Sequence, residues 1–217
     1  MHRRGRGRRT PEGRRPGRKG PLTCGFGLPG RSAACYHHTI ATTPRGVPMF
    51  RKGDTVVHPE HGAAVIEEKV TREIFGEKRT YFRLRVAYGE LTLMIPVDSC
   101  AEVGLREPVS KNEVKKVLKV LKQDESQMAS NWSRRFKNNI EKLRSGDIYQ
   151  VAEVVRNLSI RDRERGLSAG EKRMIQKARQ ILVSELVHAM GEPEEKAEAM
   201  IDKVLEESHQ SRILAGA

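Results

Sequence analysis

From Met49 to about Pro108 the apolar residues fall in short runs between turn formers, and beyond Pro108 they recur at every third or fourth position. The first pattern predicts strands and the second predicts helices. Thr55-Val56-Val57-His58 closes at Pro59, Ala63 to Ile66 follows Gly62, and Val70 to Ile74 leads into a turn at Phe75-Gly76-Glu77-Lys78. Tyr81 to Val86 alternates in part, Gly89-Glu90 makes a tight turn, and Leu91 to Val97 reads as a further strand. About five short antiparallel strands in so compact a stretch imply a small SH3-like or Tudor-like barrel.

Val114, Val117, Leu118 and Leu121 mark a first amphipathic helix, followed by a loop from Asp124 to Ser130. Trp132, Phe136, Ile140 and Leu143 recur at helical spacing in a segment that runs to about Arg144 and stops at Gly146. Asp147 can cap the next helix, whose apolar face of Ile148, Val151, Val154, Val155 and Leu158 ends near Gly166. Ser168 with Glu171 fits a capping box opening a helix through Met174 to Met190, and Gly191 ends it. Pro193 suits the first turn of a last helix carrying Ala197, Met200, Ile201, Val204 and Leu205. The predicted class is α+β: a small antiparallel barrel over 49–108, an all-α domain of about five helices over 109–209, and a disordered C-terminus over 210–217.

Charge changes this picture at two places. Of the 41 Lys+Arg and 28 Asp+Glu in the 217 residues, residues 1–48 hold eleven and one, which leaves 30 and 27 for the rest. The body is therefore nearly neutral, and the overall charge of +13 belongs mostly to an Arg-, Gly- and Pro-rich tail that has too little apolar surface to order itself. Met49 directly precedes the first strand pattern, so translation is expected to start there, with residues 1–48 as a start-site artefact; a genuine tail would add sequence-independent affinity for nucleic acid. Within the body, Arg134, Arg135, Lys137, Lys142 and Arg144 stand against Glu141 alone between Trp132 and Arg144. Cations can neutralise phosphates while an aromatic ring stacks on or wedges between bases. Two readings of Trp132 stay open on the residues alone, the head of a buried stripe and an exposed nucleic-acid contact.

Signs of catalysis are missing from the sequence. There is no G-x-x-x-x-G-K-[ST] phosphate loop, and Gly170-Glu171-Lys172-Arg173 reads as the solvated first turn of a helix. His58 and His61 flank Pro59 in a turn with no acid to pair them, and Glu153, Glu164 and Glu185 read as surface partners of nearby cations. Cys24, Cys35 and Cys100 fit neither a disulfide framework nor a zinc module, and Cys24, Cys35, His37 and His38 lack the paired spacing of a tetrahedral site. No cofactor, metal or small-molecule substrate is expected, no run of apolar residues suits a membrane span, and a reducing cytoplasm is the natural compartment.

From Phe50 to about Leu205 the chain resembles the CarD family of bacterial transcription regulators. The runs that carry the resemblance are Lys52-Gly53-Asp54-Thr55-Val56-Val57-His58-Pro59-Glu60-His61-Gly62-Ala63-Ala64, Asn131-Trp132-Ser133-Arg134-Arg135-Phe136-Lys137 and Arg163-Glu164-Arg165-Gly166-Leu167-Ser168-Ala169-Gly170-Glu171-Lys172-Arg173-Met174. The resemblance implies a monomeric, non-enzymatic binder whose Tudor-like domain docks on the RNA polymerase β subunit while its helical domain contacts promoter DNA at the upstream edge of the bubble. It makes Trp132 a minor-groove wedge, Arg134, Arg135 and Lys137 phosphate contacts, and Arg72 a polymerase contact. Met94, in Leu93-Met94-Ile95-Pro96, stands where some family members carry a second basic polymerase contact. Two other readings compete with this one: a transcription adaptor that never touches DNA, and a fragment of a repair-coupling ATPase, against which the missing phosphate loop speaks.

Overall fold

The structure is a computed structural model and describes residues 50–74 and 76–216. The basic tail, the proposed start at Met49 and the Cys24, Cys35, His37 and His38 group lie outside the described residues. Four strands, β1 (Thr55–His58), β2 (Gly62–Ile74), β3 (Glu77–Val86) and β4 (Thr92–Pro96), form an antiparallel meander in chain order. The expected second and third strands are one. The chain runs straight through Glu67-Glu68 with a register shift between Ile66 and Glu68, so a β-bulge absorbs the irregularity that reads as a break in the sequence.

The two halves of β2 differ in kind. Gly62 to Ile66 pairs with both β1 and β3, and its Ala64 and Ile66 are buried with Val56, Phe82, Leu84 and Ile95. From Thr71 to Ile74 β2 is exposed and pairs only with β3, so the hairpin projects as a two-stranded arm. Beyond β4 a single 3-10 turn (Val97–Ser99) leads into the short α1 (Cys100–Val103). Cys100 is buried in the sheet's core, and that burial pushes its thiol up to about 11, which leaves it no nucleophile at neutral pH.

The helical domain comprises α2 (Lys111–Lys122), α3 (Trp132–Arg144), α4 (Ile148–Arg165), α5 (Ala169–Met190) and α6 (Glu194–Gly216). The expected caps form: Asp147 Oδ1 accepts from the Tyr149 N–H at 2.9 Å, and Gly191, at φ 69°, closes α5 in the left-handed region. Val117, Leu121, Val154, Leu158, Leu182, Leu186 and Ile201 make the centre of a second core. α6 runs on to Gly216, through residues expected to be disordered. Nothing between Leu205 and Gly216 breaks a helix, and Arg212 Nε donates to Ser208 O while Ser211 Oγ donates to Glu207 O. Among the described residues no helix is long and apolar enough to cross a membrane.

The two cores meet at a polar seam. The Ala63 N–H donates to Ser184 Oγ at 3.0 Å, and the linker residue Arg106 pairs with Val57 on the edge of β1. Arg106 also donates to both carboxylate oxygens of Glu185 on α5, at 2.5 and 2.8 Å, and through Nε to the Gly146 carbonyl at 2.7 Å. Glu185, expected on the surface, is 0% exposed. Gly62 is fitted to this seam, since its φ is +76° and a β-carbon would collide with Ser184 Oγ and sit 3.2 Å from Ile181 Cα. Gly62→Ala is accordingly expected to cost about 1–3 kcal/mol from the left-handed backbone alone. Urea unfolding measures it, and a loss below about 0.5 kcal/mol, the scale of an inconsequential surface change, would show that both the backbone at Gly62 and the contact with Ser184 relax freely.

Candidate nucleic-acid interface

α3 starts where Asn131 Oδ1 accepts from the Arg134 N–H at 3.2 Å, and this cap puts Trp132 at the first helical position. At that position the ring has no preceding helical turn to cover it. It is 47% exposed, an unusual state for an aromatic of this size. The exposed ring is nevertheless held in place. One face stacks on Phe136 with centroids 5.1 Å apart and planes 23° from parallel, and the indole N–H donates to Ser168 Oγ at 3.1 Å.

The Ser168 hydroxyl is fixed in turn by the capping box of α5. Its backbone N–H and Oγ both donate to Glu171 Oε2, at 3.1 and 2.8 Å. Glu171 is only 2% exposed, so the predicted solvated turn contains a buried carboxylate. Its other oxygen accepts from Arg135 Nε at 2.9 Å and lies 3.7 Å from Arg161 Nε. Burial works against the charge on Glu171, but the Ser168 N–H and hydroxyl and the Arg135 guanidinium outweigh it and hold the carboxyl below its usual range. Glu171 therefore links α3 to the start of α5 by hydrogen bonds, with the Arg161 charge of α4 close by, and the same Ser168 hydroxyl reaches the indole.

Arg135 is a correction to the expected contacts. It is 4% exposed, and its NH1 donates to the carbonyls of Ala129 and Ser130 at 3.0 and 3.2 Å while Nε serves Glu171. A helix turns about 100° per residue, so Arg134 and Arg135 cannot share a face, and the second of the pair points inward. Arg134 is exposed with no ion-pair partner among the described residues, and Lys137 is exposed with only a loose 3.8 Å contact to Glu141. Lys142 is held by Glu153 at 2.8 Å, and Arg144 lies 3.6 Å from Glu60. The basic cluster of the sequence thus shrinks to Arg134 and Lys137 on α3. The first turn of α5 extends it: a β-carbon on Gly170 would reach Trp132 at 3.8 Å, and the adjacent Lys172 and Arg173 are exposed.

Comparison with known proteins matches the two halves of the fold separately. The CarD-like/TRCF RID domain matches residues 50–109, the sheet, and the CarD C-terminal domain matches residues 116–202, the helices. A relative from Bacillus subtilis (strain 168), “Putative transcription factor YdeB”, is 35% identical over 138 residues, covering 64% of this chain and 90% of that protein. The chain belongs to the CarD-like family. Membership makes it a transcription regulator of the type that works with RNA polymerase.

On this CarD-like sheet, Arg72 sits on the exposed part of β2, opposite Arg79 in the β2–β3 register. Arg79 is neutralised by Glu77, whose carboxylate accepts at 2.8 Å, whereas Arg72 has no ion-pair partner among the described residues. Met94 lies opposite Arg83 on the neighbouring strand, and Arg83 is itself engaged by Glu68 at 2.7 Å. Reading Gly170-Glu171-Lys172-Arg173 as a solvated first turn missed the burial of Glu171 and set aside Lys172 and Arg173, which are exposed as that reading expects and stand next to the Gly170 that faces Trp132. The Ser168/Glu171 capping box was the signal for that burial, because a carboxylate that turns back onto a helix start is half withdrawn from water already.

Proposed function

We propose that this CarD-like regulator docks through its sheet on the β subunit of RNA polymerase, in the cytoplasm and as a monomer, and lays Trp132 against promoter DNA at the upstream edge of the bubble. The observation that carries the reading is the state of Trp132, an exposed indole fixed on its back face by Phe136 and along its edge by Ser168. A ring held in this way loses little further freedom on binding, so its contact energy is not spent on ordering it. Arg134, Lys137, Lys172 and Arg173 surround it as phosphate contacts, and Arg72 on the projecting arm is the polymerase contact. A wedge in a distorted minor groove makes reclosure of the duplex less favourable without catalysing any step. The nearly neutral body gives little free-standing DNA affinity, and tethering to polymerase supplies the effective concentration instead.

Trp132→Ala tests this. A stacking contact is worth about 1–3 kcal/mol, so open-complex lifetime is expected to fall roughly tenfold to a hundredfold. Thermal stability and polymerase binding should stay near those of the parent, because the ring is half in water and remote in sequence from Arg72. Unchanged lifetime with intact polymerase binding would favour an adaptor that never touches DNA. Arg134→Gln and Lys137→Gln should each flatten the salt dependence of open-complex lifetime, while Arg135→Gln should act through stability.

A further inference from the structure

Beside the Trp132–Phe136 pair lies an open groove of about 340 Å³, bounded by α3, α5 and the β1–β2 turn. Its floor is apolar, formed by Phe136, Ile140, Leu143, Met174 and Ile181. Phe136 and Ile140 are only half-buried, although they continue the apolar stripe of α3. One rim carries Arg173 and Lys177, both exposed and neither with an ion-pair partner among the described residues. The groove is also lined by Pro59 and by Glu60 and Arg144, which lie against each other at 3.6 Å.

The geometry points to a binding site for a small amphipathic anion, an apolar body with one carboxylate or phosphate. A hollow of this size lined by apolar side chains with a few charged groups has the form of a small-molecule site. Charge complementarity fixes the polarity of the occupant, because three cations and one carboxylate line the groove and that carboxylate, Glu60, already faces Arg144, which leaves Arg173 and Lys177 in excess. A phosphodiester backbone would satisfy the cations yet leave the apolar floor in water, and a neutral apolar molecule would leave the cations unused. The occupant would rest on Phe136, whose ring backs Trp132, and would share Arg173 with the proposed DNA contact, although its binding needs no DNA.

Trp132 is the only tryptophan of the chain, which gives a single indole N–H resonance as the reporter. The full chain, labelled with nitrogen-15, is titrated separately with sodium decanoate and with phenyl phosphate, the two arms distinguishing a carboxylate from a phosphate headgroup. At least one should shift that resonance saturably, and decyltrimethylammonium, with the same chain as decanoate and opposite charge, should not. The double variant Arg173→Gln/Lys177→Gln should bind about tenfold more weakly, the loss of roughly one charge-assisted contact. Ile140→Glu, which places a carboxylate on the floor, should abolish binding; if it unfolds the chain, the double variant decides, since both of its positions are exposed. The proposal is overturned if neither anion gives a saturable shift, if the cationic amphiphile binds as well, if the double variant binds unchanged, or if only duplex DNA shifts the resonance.

Discussion

Glu185→Ala is expected to lower the stability of the folded chain by about 3 kcal/mol, the low end of the range for removing one partner of a buried ion pair. The loss has two sources. The Arg106 guanidinium is left facing a void with one carbonyl from Gly146 and one from Glu107, and the Val109 N–H loses the Glu185 oxygen that accepts it at 3.1 Å. Arg106 keeps a side-chain exposure of 30%, so water can reach part of its charge, and this is why the upper end of the range does not apply. For a chain of this length about 3 kcal/mol corresponds to a fall in thermal midpoint of roughly 6–12 °C. Glu185→Gln keeps the shape and one acceptor, and should recover part of the loss. Glu164→Ala, at an exposed position, is expected to stay within about 0.5 kcal/mol of the parent. Thermal unfolding of the three variants checks the order, and a Glu185→Ala midpoint indistinguishable from that of Glu164→Ala would mean that the seam between sheet and helices contributes nothing.

That contrast shows where the sequence was legible. Elements with a clear period and a named stop were read correctly, because local chemistry decides them: Ser168 and Glu171 did open a helix and Gly191 did close it. Glu164 and Glu185 look alike as carboxylates on helices, and only tertiary packing separates them. A hint was present, since Ser184-Glu185 interrupts the run from Ile181 to Val187, and a polar pair inside such a run needs buried partners if the helix is covered on most sides. The partners themselves, Ala63 and Arg106, stand 121 and 79 residues away, a distance no local pattern spans. The same logic divided Arg134 from Arg135. Adjacent arginines count equally in a charge tally, but helical rotation sends one to solvent and the other to Glu171, and with Lys142 and Arg144 facing Glu153 and Glu60 a cluster of five cations became two on α3.

Glu171→Ala is expected to have the largest effect of any single change near the candidate interface, about 3–5 kcal/mol. Arg135 would keep a charge that is 4% exposed, with two backbone carbonyls for company and no carboxylate, so the solvent relief available to Arg106 does not reach it. The α5 capping box is lost with it, although that share, about 1 kcal/mol, is the smaller one. The pH dependence gives a sharper test than the midpoint alone. The Glu171 carboxyl is held below its usual range when folded, whereas in the unfolded chain it titrates near an ordinary value of about 4.3. The unfolded state therefore binds the proton more readily, and the stabilisation is fully present above about pH 4.3 and is lost as pH falls through the lower folded value. Denaturant unfolding of the parent and of Glu171→Gln should give a stability gap that is constant from neutral pH down to about 5 and narrows below about 4. A gap that is flat across the acid range would assign the loss to shape and not to charge. Because Ser168 Oγ is shared between Glu171 and the indole, the variant should also release Trp132: its indole N–H is expected to exchange with solvent faster than in the parent, under conditions where the helical core stays folded.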